Sequence, residues 1–489
     1  MRYIIANDEY FDNIKRLLED NDRDFPISLL ERVDLDEYIY KVLKNGNIII
    51  AVNDLDYIAG AVFFYSNDYD SKVGFITLLC VDSNFRNHGI ASNLLKKAFN
   101  FMIDSKMRYC DLYTNKNNFR SINLYKKLGF YEIKLNKDEI HFRKDLRLNI
   151  LITSVGRRGY LVQYFKEALN GIGKVYVSNS DSNSAAFKYA DEYVVSPLIY
   201  DDHYIDFLLN YCKKNNIKLL ISLFDIDLYV LACNKSKFEE IGVNVIVSDK
   251  EFVKICNDKW FTYNYLKDNK IETPKTFLSI ETAIEALKNN EISFPLIIKP
   301  RWGMGSLEIF TADNTDELHI FYNKIKREIW NSYLKYESNQ DRDNCVIIQQ
   351  KISGDEYGVD LINDLDGNHI STIIRKKIAM RSGETDAAEI VENKMINNMM
   401  SKLANISKHI GNLDVDVLKD DNDKYYILEM NARFGGGYPF SHLAGVDLPL
   451  ALIKWLNNEK VDVKLLTAKV GVIGRKDIKI IQINNSIRR

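Results

Sequence analysis

The sequence has little imbalance of charge. Sixty-six basic against 68 acidic residues leave a formal net charge of −2 over 489 residues, so nothing global points to nucleic acid or an anionic membrane surface. Long apolar runs are missing as well. No stretch approaches the ~20 uninterrupted apolar residues of a membrane-crossing helix, and the best candidate, KLLISLFDIDLYVLAC, is broken by Asp225 and Asp227. Cysteine is sparse: six residues (Cys80, Cys110, Cys212, Cys233, Cys256, Cys345) are scattered, with no CxxC and no histidines at zinc spacing. That argues against a disulfide framework or a structural zinc site. The opening MRYIIANDEYFDN meets charge by Asp8 and lacks the apolar centre of a signal peptide. The expectation is a reduced, cytoplasmic protein with buried thiols, whose partners are small molecules met at local sites.

What is present is alternation. Strand-like runs (NGNIIIAVN, IAGAVFFYS, VGFITLLCVD, YCDLYT, GFYEI) are interleaved with helical patterns such as ASNLLKKAFNFMID up to a charged stretch, FRKDLRL. There a fresh strand, NILITSVG, opens a second series (GKVYVSN, EYVVSP, KLLISL, VNVIVSD) with the cadence of a parallel α/β layer. A β-rich module then runs to about Ala432, followed by a helical tail, with the polar segment 331–344 expected as a solvated insertion. The fold class is therefore α/β and α+β multidomain. The expected domains are 1–147, 148–250, 251–460 with a mobile lid at about 270–350, and a tail over 461–489.

Two motif sets carry chemistry. In the first, FITLLCVDSNFRNHGIASNLLKKAF places a strand, a turn and a helix in succession. Backbone N–H groups from Asn87 to Ser92 at that helix start would face outward and suit a pyrophosphate, with Gly89 permitting close approach. Alone, a glycine there is more often a plain turn. The pattern RxxGxA (Arg86, Gly89, Ala91) is followed about 30 residues on by NNFRSINLYKKLGFYEI, and the pair resembles the GNAT family of acyl-CoA-dependent N-acetyltransferases. That resemblance covers about 1–145. It implies that Leu79 to Val81 pair with the pantetheine arm of acetyl-CoA and that Asn87, His88, Gly89, Ile90, Ala91 and Ser92 hold its pyrophosphate. It further implies that Asn118 contacts the cofactor and Tyr125 protonates the leaving thiolate. The bland readings are a core tyrosine and a helix N-cap. No carboxylate base is evident around Tyr113.

The second set begins at PLIIKPRWGMGSLEIF, where Lys299 precedes the glycines instead of following them as in a P-loop. Upstream lies Lys259; downstream come VIIQQKISGDEYGVD and YYILEMNARFGGGYP. Glu429 and Asn431 alternate on one strand face as hard oxygen ligands for Mg²⁺, with Arg433 beside them. This order is similar to the ATP-grasp superfamily, in the branch of one carbamoyl-phosphate-synthase large-subunit half, over about 149–460. The resemblance implies that Lys259 and Lys299 bind ATP phosphates and that Arg301 to Ser306, including Gly303 and Gly305, cover them. Gln349, Gln350, Lys351 and Ile352 would line the adenine through backbone groups and Glu356 would take the ribose. Asp416 (or Asp414), Glu429 and Asn431 would hold Mg²⁺ or Mn²⁺, and Arg433 would stabilise the transferring phosphoryl group. Arg375 and Arg381 are the expected forks for a substrate carboxylate, and Ser154, Gly156 and Arg157 stand at a turn that could take a second substrate. The implied activity is a carboxylate–amine ligase fused to an N-acetyltransferase, on an amino-acid-like or amino-sugar-like metabolite, as a possible homodimer. The alternative keeps the ligase and makes residues 1–145 an acyl-CoA sensor.

Overall fold

The computed structural model describes residues 1–303, 307–457 and 459–482. It divides into two compact units, one of 1–148 with 170–173 and one of the remainder; among the described residues no helix is long and apolar enough to cross a membrane.

The first unit is a seven-stranded sheet in the order Arg2–Ile5, Asn47–Val52, Ile58–Tyr65, Val73–Val81, Tyr109–Asn115, Glu139–Asp145, Tyr131–Leu135. Helices Phe11–Asp20 and Leu35–Asn45 bury Ile14, Leu18, Ile39 and Val42 against one face. Helices Ile90–Asp104 and Phe119–Lys127 bury Leu94, Leu95, Ala98, Met102 and Ile122 against the other. The i, i+4, i+8 spacing of Leu94, Ala98 and Met102 is what lets one stripe face the sheet. All neighbours are antiparallel except Val73–Val81 and Tyr109–Asn115, which run parallel and pair only from Val73↔Tyr109 to Ile76↔Leu112. On its other side the same strand stays paired to Val81, opposite Gly60.

The second unit opens with five parallel strands, ordered Glu192–Val195, Val175–Asn179, Asn149–Thr153, Ile217–Ser222, Asn244–Ile246. Six antiparallel strands, ordered Tyr425–Asn431, Gly411–Asp420, Gly354–Asn363, His369–Arg381, Glu384–Val391, Ile473–Arg475, form the largest sheet of this unit. Leu151, Leu220, Phe252, Leu266, Val359, Val415 and Ile427 share one core, so these two layers are welded together. A four-stranded sheet, Thr276–Phe277, Val346–Gln350, Leu296–Pro300, Phe310–Ala312, keeps a separate core around Ile298, Leu318, Ile325 and Ile348.

One expectation changes here and another is refined. Beyond the helices Tyr438–Leu443 and Leu448–Leu456, the tail supplies the strand Ile473–Arg475, which pairs with Ala387–Glu389 at the sheet edge. The segment 331–344 is largely exposed, as expected, but it is also anchored. Leu334 and Ser338 are fully buried, Tyr336 stacks on Tyr200 at 4.2 Å, and Glu337 accepts from the Tyr200 hydroxyl. Apolar residues spaced between polar ones in a short turn-rich run carry no clear period, which is why the sequence hid this packing.

Candidate active sites

In the first unit, the parting of the two parallel strands makes the site. From Thr77 onward Val73–Val81 has a strand partner on one side only among the described residues, so Leu79 and Val81 lie on an edge that an extended ligand arm can join. A cavity of about 700 Å³ opens there, lined by Leu79, Thr114, Asn118, Tyr125 and, at its rim, Asp138 and Glu139. Gly89 stands at φ +75°, with nothing near a would-be Cβ; the left-handed backbone, and not lack of room, is what selects glycine. Ile90 turns its side chain into the core, and Ile90, Ala91 and Ser92 are the first residues of the helix, whose leading N–H groups have no helical acceptor. Asn87 and His88 are exposed before them.

Arg86 takes another role. It donates to Val81 O at 3.0 Å and pairs with Asp24, clamping the turn to the strand end. Asn118 caps its helix by accepting from Ser121 N at 3.1 Å and also lines the cavity. Tyr125 packs on Phe130 and Phe142, and burial pushes its phenol up to about 12, so it stays a proton donor. Sequence reading missed Asp138 and Glu139, because they sit on a loop and strand end distant from the glycine turn. It also missed Asp111, buried and held by His141 and Arg143 at 2.7–2.8 Å on the neighbouring strand.

In the second unit, the paired strands Gly411–Asp420 and Tyr425–Asn431 set Asp414 opposite Asn431 and Asp416 opposite Glu429. Residues two apart on facing strands share one face, so four oxygen-bearing side chains form a block. A cavity of about 340 Å³ gathers Lys259, Lys299, Glu356, Glu429 and Asn431, with Gly303, Arg375, Asp414, Asp416 and Arg433 also on its wall. Lys299 is buried, donates to Gln349 Oε1 at 2.8 Å, and has its ammonium pushed down to about 8, first by burial and then by Lys259. Lys259 donates to Gly303 O at 2.5 Å, tying the head of one helix to the start of the glycine segment.

Lys377, which the sequence groups with Arg375, Lys376 and Arg381 as basic residues to hold a substrate carboxylate, instead bridges Glu356 at 2.6 Å and Asp416 at 2.7 Å. Burial pushes the Asp416 carboxyl up to about 6, against the pull of Lys377. Asp414 is engaged by Arg433 at 3.0 Å and Arg375 at 3.3 Å. With cations between them, no three carboxylate, imidazole or thiol groups converge on one point among the described residues. The donor set of Asp416, Glu429 and Asn431 nonetheless fits Mg²⁺, being hard oxygens on one face. The glycines after Arg433 are steric: a Cβ on Gly435 would lie 2.1 Å from Asp414 Cγ, and one on Gly437 2.7 Å from Arg375 Nε.

Several expected residues lie elsewhere. Arg301 is buried in ion pairs with Asp258 (2.7 Å) and Asp341 (3.0 Å) and lies over the Trp302 ring; it anchors the base of the glycine segment and is not part of a phosphate cover. Gly305 and Ser306 lie outside the described residues. Gln349 is paired on both sides within its sheet, and the Gln350 N–H is taken by Lys275 O. Lys351 and Ile352 lie past the strand end. Arg375 is all but inaccessible, with its fork spent on Asp360, Asp414 and Ser441. Arg381 is exposed at the hairpin end, off the cavity wall. Neither is placed as a free fork for a substrate. Ser154 instead donates to Asp227, a buried carboxylate that Thr153, Ser222 and Tyr204 also serve.

The first unit thus has a split parallel pair over an amphipathic helix, and the second a cavity lined by Lys259 and Lys299. The matching family descriptions are "Acetyltransferase (GNAT) family" for 14–130, "PylC-like, N-terminal domain" for 150–246 and "ATP-grasp domain" for 256–437. The chain thus carries a GNAT acetyltransferase-family domain, then a pre-ATP-grasp domain and an ATP-grasp ligase-family domain. Among curated relatives, the coenzyme gamma-F420-2:alpha-L-glutamate ligase of Methanocaldococcus jannaschii is 28% identical over 187 residues, spanning 37% of this chain and 59% of that protein. The D-alanine–D-alanine ligase of Thermotoga maritima is 24% identical over 241 residues, 44% of this chain and 73% of that one. In fold, the ATP-grasp part is similar to biotin carboxylase from Campylobacter jejuni (TM-score 0.52, 17% identity, 65% of this chain and 73% of that one). It is also similar to an L-amino acid ligase from Bacillus licheniformis (TM-score 0.51, 15% identity, 67% and 79%).

Proposed function

We propose that the chain is a bifunctional enzyme, an ATP- and Mg²⁺-dependent carboxylate–amine ligase fused to an acetyl-CoA-dependent N-acetyltransferase. The observation that carries the ligase reading is the meeting of Lys259 and Lys299 with Glu429 and Asn431 in one cavity. Two ammonium groups neutralise nucleotide phosphates, and the oxygen pair, with Asp416, holds the metal, which supplies charge neutralisation at the transferring phosphoryl group when bound. A substrate carboxylate oxygen attacks the γ-phosphorus, the bond to the β-phosphate oxygen breaks, and ADP leaves. The amine then attacks the acyl phosphate and phosphate departs. Closure of the four-stranded lid keeps water from that mixed anhydride.

In the acetyltransferase, the free edge from Leu79 to Val81 takes the pantetheine arm and the helix start at Ile90–Ser92 takes the pyrophosphate. Tyr125, kept protonated by burial, donates to the departing CoA thiolate as the amine nitrogen bonds to the acetyl carbon. Asp138 and Glu139, at the cavity rim, are the carboxylates within the same opening for the amine's proton.

The test is a pooled screen of amino acids, amino sugars and carboxylates against the full chain, reading ADP release and acetyl-CoA consumption by mass spectrometry. Substrate-dependent ADP release supports the ligase and substrate-dependent CoA release the transferase. ATP and acetyl-CoA both surviving every pool would overturn the bifunctional reading.

A further inference from the structure

The cavity of the first unit has a wall that an acyl-CoA arm does not explain. Three rings, Phe75, Tyr113 and His141, stand in a row across the neighbouring strands Val73–Val81, Tyr109–Asn115 and Glu139–Asp145. Tyr113 and His141 are paired directly across their strands, and their rings stack at 4.4 Å with 19° between the planes. Phe75 stands on the opposite side of Tyr113, 5.8 Å away and tilted by 50°. The far end of the row is braced: His141 Nε2 lies 2.8 Å from Asp111 Oδ2, and Arg143 holds the same carboxylate through two bonds of 2.7 Å. Rings fixed in this way lose little freedom when a ligand arrives. Phe75 and Tyr113 line the cavity, and Tyr113 is 45% exposed there. Ile27, 54% exposed, adds a second apolar surface from a loop that Asp22 fastens through Ser28 Oγ and Leu29 N, both at 2.7 Å.

The row stands at the reacting end of the cavity. Ile76↔Leu112 is the last pair of the two parallel strands, so Tyr113 is the first residue beyond it, at the head of the parting. Asn115, two residues on, shares the face of Tyr113, and its partner across the strands is Glu139. Both line the cavity. Glu139 is exposed and, among the described residues, has no cation within ion-pair distance, whereas its neighbour Asp138 is paired with Lys116 at 3.2 Å. One face thus carries a row of rings and, about 7 Å along the strands, a carboxylate. With His141 on one side of Tyr113 and Phe75 on the other, the row presents mainly ring edges. Edges are the positive part of an aromatic ring, so they attract the face of another ring. A polycation needs a ring face instead, and a sugar would set its hydroxyls against rings that cannot answer them.

We propose that the acetyl acceptor is a primary amine joined by a short linker to an aromatic ring, with the ring on the row of Phe75, Tyr113 and His141 and the amino group at Glu139 and Asn115; the inference rests on the acetyltransferase reading above. Glu139 takes one proton from the ammonium, and the freed lone pair bonds to the acetyl carbon. The C–S bond breaks with its electron pair on sulfur. Tyr125 protonates that thiolate and is restored by the proton that the new amide nitrogen sheds. Tyr113 selects the acceptor and takes no part in the bond changes.

The experiment measures CoA release by the full chain from acetyl-CoA with 2-phenylethylamine, tyramine, tryptamine, 2-cyclohexylethylamine, spermidine and glucosamine. The best of the three aromatic amines is expected to exceed the other three in kcat/KM by about tenfold or more. 2-Cyclohexylethylamine is the decisive comparison, since it keeps the amine, the linker and the apolar bulk of 2-phenylethylamine and loses only the aromatic ring. In Tyr113→Leu the preference for the aromatic amine should vanish through a higher KM for it, with acetyl-CoA affinity by calorimetry kept within about twofold as the check on folding. Equal or better use of the cyclohexyl amine, spermidine or glucosamine by the unaltered chain, which needs no variant to fold, overturns the proposal. So does a Tyr113→Leu chain that keeps the aromatic preference, or an unaltered chain that binds acetyl-CoA and acetylates none of the aromatic amines. Failure of acetyl-CoA itself to bind the unaltered chain is the separate result that removes the acetyltransferase reading and this acceptor with it.

Discussion

At the level of single residues, Lys299 ties the nucleotide site to pH. Its folded pKa of about 8 lies below the unfolded lysine value of roughly 10.4. Between those values the unfolded chain holds the extra proton, so stability rises with pH across that window, and the burial penalty is heaviest below about 8. Phosphate favours the charged lysine, so nucleotide affinity should run the other way. The Kd for Mg·AMPPNP is expected to rise about tenfold from about pH 7 to 9, and in Lys299→Met to be weaker throughout and flat. A persisting slope in that variant would place the titrating group elsewhere. Gly435→Ala drives a methyl into the Asp414 carboxylate and is expected to cost about 1–3 kcal/mol, read as a lower urea midpoint; an unmoved midpoint would mean the strand gives way freely. In the acetyltransferase, Tyr125→Phe keeps the packing on Phe130 and Phe142 and removes the proton. The rate of CoA release should fall roughly a hundredfold at unchanged KM for acetyl-CoA, whereas an unchanged rate would leave Tyr125 as a core residue.

At the level of elements, legibility followed periodicity. The five parallel strands of the second unit were readable because each is a short apolar run bounded by turns, and the helix Ile90–Asp104 because Leu94, Leu95, Ala98 and Met102 keep helical spacing. The strand Glu139–Asp145 was hidden inside HFRKD. Ile140 and Phe142 point into the core while His141 and Arg143 reach across to Asp111, so its outward face reads as surface charge. The lysine, glutamate and asparagine of the nucleotide cavity were legible from order along the chain. The burial of Arg301 against Asp258 was not, because a pair 43 positions apart leaves no local pattern. The strand Ile473–Arg475 covers an edge at Ala387–Glu389, and Lys476 reaches Glu384 on the cavity wall at 3.0 Å. A chain ended after Ala468 is expected to lose about 1–2 kcal/mol from the lost cross-strand pairs, measured by urea denaturation. If it melts as the full chain does, the strand is dispensable.

At the level of the whole molecule, two compact units with separate cores predict two thermal transitions. Each should answer its own ligand, since a ligand at about a hundred times its Kd adds roughly 2.7 kcal/mol to the unit that binds it. Acetyl-CoA should raise one transition and Mg·AMPPNP the other; a single transition raised by both would show one cooperative body. Observing them apart is made simple by where the four tryptophans fall. Trp260, Trp302, Trp330 and Trp455 all belong to the second unit, with none in residues 1–148. Trp302 is on the wall of the nucleotide cavity, one residue before the glycine whose carbonyl Lys259 holds, with Arg301 4.3 Å from its ring. Light absorbed only by indole therefore reports on the second unit alone, with one of its four emitters on the wall of the cavity proposed for ATP, while the first unit remains optically silent.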